Sequence, residues 1–281
     1  MPESVAYPGV PGSFSWEAAR QLFSGKTLTG FGTFEQAARA VALGETDYGV
    51  LPVENSFAGV VLATYTLLER LPLFIVGEAL LPVQHMLLGV KGATLEGLRS
   101  ISSHPQAIAQ CDSFLAGLKG VRLLPSANTA ISARDVAEAG DPACGAIASA
   151  AAAELYGLQV LRSGIQTVQS NTTRFLVVNR REEPLGQPDK ATVVFRVRHE
   201  VGALVRVLSS FAESGLNMTH IESRPLPQTP FEYFFSADFV GQMDSRSLRS
   251  AMDRAREHCL ELRIMGIYPQ ARLKGTEEKS S

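Results

Sequence analysis

Cysteine is scarce in this chain. The 281 residues hold three, Cys111, Cys144 and Cys259, far apart and with no C-x-x-C pair. Such spacing argues against a secreted disulfide framework. Excess charge is missing too. The formal net charge is -2 and no run of Lys or Arg exceeds two residues, so nothing resembles a nucleic-acid footprint. Any anion site must therefore be built locally. Long apolar runs are also absent. The longest, Leu71 to Val83, is too short to span a bilayer and contains Glu78. The chain enters a strand-like segment at Val5-Ala6-Tyr7, with no basic region followed by an apolar stretch. These features lead us to expect a cytoplasmic protein with no membrane and no nucleic-acid partner. At 45% hydrophobic and 19% charged residues, the chain has ample core, and its length suggests two domains.

Several cofactor signatures are missing. Gly25-Lys26-Thr27 ends like a phosphate loop, but Arg20 stands where the first glycine belongs. Gly30-Phe31-Gly32 lacks the third glycine of a dinucleotide fingerprint, because Glu35 takes its place. There is no G-x-S-x-G elbow. The five histidines (His85, His104, His199, His220, His258) show no metal-ligand spacing. The expected chemistry uses no metal, nucleotide or other cofactor.

Short apolar segments alternate with helical patterns over residues 1–178. Strands are predicted at Val5–Tyr7, Tyr48–Val53, Leu73–Val76, His85–Val90, Ser100–Ser103, Val121–Leu124, Gly145–Ala148 and Phe175–Val178. Helices are predicted at Phe14–Phe23, Phe34–Leu43, Val60–Glu69, Ala107–Leu115, Thr129–Ala139 and Ser149–Leu155. The alternation implies an α/β architecture with mostly parallel sheets. Residues 181–190 carry charge, two prolines and a glycine, and read as a linker. Beyond it the pattern is strand Ala191–Val197, helix Gly202–Ser214, strands Asn217–Ser223 and Phe231–Val240, helix Ser245–His258 and strand Glu261–Tyr268. That order is β-α-β-β-α-β, the ferredoxin-like unit. The polar tail, 274–281, is expected to be disordered.

Three compact polar clusters sit at the edges of apolar segments: Pro52-Val53-Glu54-Asn55-Ser56, Ser103-His104-Pro105-Gln106-Ala107 and Asn171-Thr172-Thr173-Arg174-Phe175. Each also has a plain structural reading. The first can be a capped turn, and Pro105 is common at a helix start. A lone Arg usually pairs with a surface acid. The segment Tyr7 to Ser15 reads either as a βα loop capped by Ser13, with Glu17 early in the helix, or as a cradle for a carboxylate. In open α/β sheets ligands sit beyond the carboxyl ends of strands, where the first two clusters fall.

Together and in this order, the clusters resemble prephenate dehydratase. The matching segments are Pro52–Ser56, Ser103–Ala107 with Gln110-Cys111, and Asn171–Phe175 around Thr173-Arg174-Phe175. The downstream unit resembles the ACT regulatory domain of that family, through Gly202-Ala203-Leu204 and Glu222-Ser223-Arg224-Pro225, with Asn217 between them. The resemblance covers nearly the whole chain, from Tyr7 to about Tyr268; Thr172 and Ile108 stand at positions that vary in the family.

The resemblance implies a catalytic domain over 1–180 with two lobes, like a type II periplasmic binding protein, and a cleft between them. Lobe 1 would hold about 1–72 and 166–180, and lobe 2 about 73–165. An ACT domain would follow over 191–273. The implied activity is decarboxylating dehydration of prephenate to phenylpyruvate in L-phenylalanine biosynthesis. Thr173 would hydrogen bond to the departing hydroxyl. Arg174, Ser103, Asn55 and loop N–H groups would be the candidates for holding the carboxylates, Phe175 would supply part of an apolar wall, and Glu54 and Gln110 would orient neighbours. L-Phenylalanine is the implied allosteric inhibitor at Gly202, Ala203, Leu204, Asn217, Glu222, Ser223 and Arg224, in a homodimer or homotetramer. Two alternatives remain at this level: an arogenate dehydratase, and a non-catalytic amino-acid-sensing binding protein on the same scaffold.

Overall fold

A computed structural model describes residues 3–198, 200–225, 233–243 and 245–272. His199, Phe231, Glu232 and the polar tail lie outside the described residues. The chain divides into two compact units, Met1–Leu67 with Leu80–Phe175, and Leu68–Ala79 with Leu176–Ser281.

Along the chain, the elements up to the linker are β1 (Ser4–Pro8), α1 (Phe14–Leu22), β2 (Thr27–Phe31), α2 (Phe34–Leu43), β3 (Tyr48–Asn55), β4 (Gly59–Val60), α3 (Leu62–Arg70), β5 (Phe74–Pro82), β6 (Met86–Gly89), β7 (Ser100–Ser103), α4 (Pro105–Gln110), α5 (Asp112–Leu115), β8 (Arg122–Pro125), α6 (Thr129–Ala139), β9 (Cys144–Ala148), α7 (Ala150–Tyr156), β10 (Gln159–Arg162) and β11 (Thr172–Asn179). One sheet runs β2-β1-β3-β11-β5 with β4 paired to β3, and a second runs β10-β6-β9-β7-β8. Strands β1, β2 and β3 are parallel, as are β7, β8 and β9, whereas β6 is antiparallel to both β9 and β10. The chain leaves the first sheet after Pro82 rather than near Leu73, because β5 joins that sheet before β6 opens the second.

The second sheet is buried on both faces, as period-two alternation requires. Leu87 and Ile147 join one apolar cluster, while their neighbours Leu88, Ala146 and Ala148 join the other. Helix ends follow their caps. Ser13 accepts from the Trp16 amide, Thr33 from Gln36 and Asn128 from Ala130. The helix expected over Ala107–Leu115 is instead two pieces, α4 and α5. Cys111 between them sits at φ -111° and ψ 16°, outside the helical basin, so the i→i−4 ladder breaks there.

The second unit carries β12 (Lys190–Val197), α8 (Ala203–Ala212), β13 (Asn217–Pro225), β14 (Tyr233–Val240), α9 (Ser245–Arg256) and β15 (Cys259–Tyr268). Its antiparallel sheet runs β13-β14-β12-β15, the ferredoxin-like order. Val207 and Phe211 of α8 and Leu248, Ala251 and Met252 of α9 cover one face, over Val193, Phe195, Ala237 and Phe239. Phe211 stacks on Phe239 with ring centroids 4.1 Å apart.

Beneath that core lies a sealed charged network. The Lys190 ammonium donates to both oxygens of Glu78, at 3.2 and 3.0 Å, and lies 3.5 Å from Asp238 Oδ2. Thr192 donates to Asp238 Oδ1 at 2.7 Å, and since its single hydrogen is spent there, Tyr268 must be the donor to Thr192 Oγ1, also at 2.7 Å. No described helix is long and apolar enough to cross a membrane.

Candidate functional site

The site in the first unit follows from the strand directions. The carboxyl ends of β1, β2 and β3 in one sheet and of β7 and β8 in the other feed loops that line neighbouring cavities of about 380 and 480 Å³. The loops bring Gly9 and Ser13, Gly32 and Thr33, Asn55, His104 and Gln106, and Ala127 and Asn128 to the walls. Phe14, Phe34, Asn128 and Thr129 line both cavities. Three helices of nine or more residues, α1, α2 and α6, therefore begin at this wall, capped by Ser13, Thr33 and Asn128. Their first amides and aligned peptide dipoles favour an anion.

The larger polar clusters meet through backbone pairing. The Ser56 amide donates to the Thr172 carbonyl at 2.9 Å, and the Thr172 amide donates to Ser56 Oγ at 2.9 Å. That contact sets the end of β3 against the start of β11. Asn171 and Thr173, two residues apart, then project to the same side. Asn55 Nδ2 donates to Asn171 Oδ1 at 2.7 Å and to Thr173 Oγ1 at 2.9 Å. Asn171 Nδ2 donates to Gln110 Oε1 at 3.0 Å, and His85 Nε2 lies 2.8 Å from the same oxygen.

The direction of the Asn55 amide is not arbitrary. Its Oδ1 accepts from the backbone amides of Phe57 at 3.1 Å and Ala58 at 2.9 Å. Its nitrogen must therefore face Asn171 and Thr173. Thr173 Oγ1 is thus already an acceptor, and among the described residues its own proton has no protein acceptor. Thr173, Asn55 and Gln110 all line the 380 Å³ cavity. An uncharged hydroxyl in that state can donate to a bound ligand.

Four of the expected residues lie off the cavity wall. Arg174 occupies the alternate strand position, is 8% exposed, and places its guanidinium 3.8 Å from Glu54. Neither Arg174 nor Glu54 is among the described residues that line the 380 Å³ cavity, and Glu54 is an ion-pair partner of Arg174. The Ser103 hydroxyl is fully buried and donates to the Ile147 carbonyl at 2.7 Å, tying β7 to β9. Phe175 is buried at 1% exposure in the core; Phe14, Phe34, Val60, Val61 and Val83 form the apolar wall instead.

His85, Asn128, Phe14 and Phe34 were not singled out from sequence as ligand-facing residues. Asn128 had a readable signal, since it caps a helix just past the predicted strand Val121–Leu124. His85 had none, because only folding brings it to Gln110. Burial pushes its imidazole below the ordinary value, against a weaker opposing pull from the Gln110 hydrogen bond. The ring meets Phe14 edge-on at 5.7 Å. Burial drives the neighbouring Cys111 thiol up to about 12, which removes it as a nucleophile. Among the described residues, no group of three or more His, Cys, Asp or Glu is placed to hold a metal ion.

In the second unit, Gly202 caps α8 at φ +77°, a conformation that disfavours any side chain. Ala203 is buried and Leu204 packs against the core. Asn217, Glu222, Ser223 and Arg224 lie along β13, an edge strand. Asn217 and Ser223 are exposed, Glu222 is half-buried, and Arg224 is buried and paired with Glu69.

Comparison with known proteins gives a consistent result. A family model described as prephenate dehydratase matches residues 5–183. Arogenate dehydratase/prephenate dehydratase 1 of Arabidopsis thaliana, a chloroplastic protein, is 37% identical over 283 residues, spanning 94% of this chain and 71% of that protein. The bifunctional N-acyl-homoserine lactone acylase/prephenate dehydratase of Komagataeibacter europaeus is 38% identical over 268 residues, covering 94% of this chain and 95% of its own length. Among solved structures, the prephenate dehydratase of Arthrobacter aurescens in complex with L-Phe matches with a TM-score of 0.85 and 31% identity, over 95% of this chain and 89% of that one.

Proposed function

The chain belongs to the prephenate dehydratase family, and we propose that it converts prephenate to phenylpyruvate with Thr173 hydrogen bonding to the departing oxygen. The reaction takes prephenate dianion and one proton to phenylpyruvate, carbon dioxide and water. The bond to the carboxylate breaks, its electron pair moves into the ring, and the ring–hydroxyl bond breaks at the far end. Aromatisation drives the step, so no electron sink is needed. The obstacle is the expulsion of hydroxide, and a donor aimed at that oxygen lowers it.

The observation that carries this reading is the Asn55–Thr173 hydrogen bond of 2.9 Å, which occupies the hydroxyl oxygen and leaves its proton for the ligand. One preorganised donor of this kind is worth about 10²–10³-fold in kcat. Among the described residues, no Lys or Arg lines the cavities. In this reading the substrate carboxylates face the starts of α1, α2 and α6, and fixed dipoles replace counterions. The apolar wall favours neutral carbon dioxide over the carboxylate it comes from.

Arogenate, the aminated analogue, is the second reading, because the Arabidopsis relative is named for both activities. Prephenate is favoured here, since among the described residues none that lines the two cavities carries a carboxylate to pair with an ammonium. Release of phenylpyruvate, followed by its ultraviolet absorbance in base, tests the activity. Equal or faster turnover of arogenate would overturn the preference.

The second unit is read as the regulatory part. The Arthrobacter aurescens protein is described with L-Phe bound, and L-phenylalanine is proposed as the inhibitor here, at Gly202, Ala203, Leu204, Asn217, Glu222, Ser223 and Arg224. Among the described residues β13 is the end strand of its sheet, and with Met218 and Ile221 exposed it suits side-by-side pairing with a second copy of the chain. Titration calorimetry with L-phenylalanine should give heat together with loss of activity. Neither heat nor inhibition would leave this unit an assembly role alone.

A further inference from the structure

The chain of hydrogen bonds that ends at Thr173 has a fixed direction, and that direction can be followed back to a histidine. Asn55 Oδ1 is occupied by the Phe57 and Ala58 amides, so Asn55 Nδ2 donates to Asn171 Oδ1. With its oxygen used, Asn171 donates through Nδ2 to Gln110 Oε1 at 3.0 Å. Gln110 Oε1 is therefore an oxygen with no proton to give. His85 Nε2, 2.8 Å away, must then carry a hydrogen and donate it. One tautomer of the neutral ring satisfies this, the Nε2–H form, and the imidazolium satisfies it as well. His85 Nδ1 is buried and without a hydrogen-bond partner among the described residues, so the ring has no competing anchor. The His85 amide donates to Gln166 Oε1 at 3.0 Å and the His85 carbonyl accepts from the Ile165 amide at 3.1 Å, which hold the backbone that aims the ring.

We propose that His85 is a positioning residue of this site: its Nε2–H closes a one-way chain through Gln110, Asn171 and Asn55 that keeps the Thr173 proton directed at the substrate. The inference rests on the dehydratase reading for its consequence and not for its geometry. Without the His85 donor, Gln110 loses a reason to keep its oxygen toward Asn171. If Gln110 turns, its amide nitrogen meets the Asn171 nitrogen, and Asn171 must turn or separate. Asn55 is pinned by two backbone amides and cannot follow, so its bond to Asn171 is lost and its grip on Thr173 loosens. His85 also lines the 380 Å³ cavity, but its Nε2–H is spent on Gln110, so what is lost with that hydrogen belongs in turnover rather than in substrate binding. Because the imidazolium keeps the same Nε2–H, the role does not consume or supply a proton.

Two variants separate this role from simple packing. His85→Phe keeps a ring against Phe14 and removes the donor. His85→Gln removes the ring and restores an N–H at similar reach. His85→Phe is expected to lower kcat roughly tenfold with KM within about twofold, the size of one lost orienting hydrogen bond. His85→Gln is expected to recover most of that turnover. Equal loss in both variants, or loss expressed only in KM, would overturn the proposal. ¹⁵N NMR of histidine-labelled protein, without substrate, gives an independent reading. A resonance pair missing from the His85→Gln spectrum should show Nε2 protonated and Nδ1 bare; the opposite tautomer would overturn the chain as drawn. If the wild-type protein releases no phenylpyruvate, the dehydratase reading fails alone, and the tautomer still decides the hydrogen-bond chain.

Discussion

In the first unit, His85, Gln110, Asn171, Asn55 and Thr173 form a buried or half-buried chain of hydrogen bonds without an ionised group, one end of which faces a cavity. In the second unit, Glu78, Lys190 and Asp238 are each under a tenth exposed and are joined to Thr192 and Tyr268. A buried ion costs several kcal/mol to desolvate and needs a fixed partner close by. Once that partner is fixed, the pair has little left to offer a ligand. Amides and a hydroxyl cost far less to bury and can be left with one hydrogen unspent. The difference gives a reason why the site proposed for a dianion is lined by dipoles: a cation placed in the wall would have recruited its own carboxylate, as Arg174 has recruited Glu54.

The largest effect should come from breaking the charged network. Lys190→Met would leave the Glu78 and Asp238 carboxylates buried with no ammonium between them. A loss of about 3–5 kcal/mol in folding stability is expected, read from urea unfolding followed by tryptophan-independent far-ultraviolet circular dichroism. The folded fraction should keep nearly normal kcat at low temperature. A stability loss under about 1 kcal/mol would mean that this network behaves like a surface ion pair, and the contrast would collapse.

Thr173→Ala should show the mirror image. The expected loss is about 10²–10³-fold in kcat, with small changes in KM and in the unfolding midpoint. Wild-type turnover in this variant would remove Thr173 from the chemistry. Asn55→Asp is a finer probe of the same chain. The carboxylate keeps an acceptor for the Phe57 and Ala58 amides, so the loop should hold. The oxygen that replaces Nδ2 would draw the Thr173 proton to itself and bring a negative charge beside a dianion. Turnover is expected to fall roughly 10–10²-fold, the effect of about one to two misdirected hydrogen bonds. Unchanged kcat would show that residue 55 does not set the hydroxyl's direction.

Much of the architecture was legible in the sequence because each element carried its own signal. Helices Phe34–Leu43 and Thr129–Ala139 have the bounds predicted from sequence, and in the structure Thr33 or Asn128 caps the start and Gly44 or Gly140 closes the end. The β-α-β-β-α-β order is visible as strand and helix segments that follow one another beyond the linker, with Gly215 closing the helix predicted at Gly202–Ser214. The strands that escaped notice, β2, β4 and β10, are short and largely exposed, so no buried face imposed an alternation on them. Residues from each of the three polar clusters line the 380 Å³ cavity, and period-two alternation within β11 divides the third cluster between two faces. It turns Thr173 into the cavity and Arg174 away from it, which single-residue chemistry could not indicate. His85 sits twenty-five residues from Gln110 in sequence, and the two meet only once the second sheet has set β6 and β7 on either side of β9.

The smallest effect expected concerns acid. His85 carries the imidazole that burial holds below its ordinary value. Its folded pKa is lower than its unfolded one, so the unfolded chain binds more protons between the two. Stability attributable to this group is therefore intact above the ordinary imidazole value of about 6.5 and falls as pH drops below it, until the folded value is also passed. Urea midpoints at pH 7.5 and pH 5.5 should differ, with the acid value lower. His85→Gln removes the titrating ring and should narrow that difference, whereas Lys190→Met should leave the His85 contribution in place. An acid shift identical in wild type and His85→Gln would assign the effect to other groups and would leave the neutral chain with no titrating member.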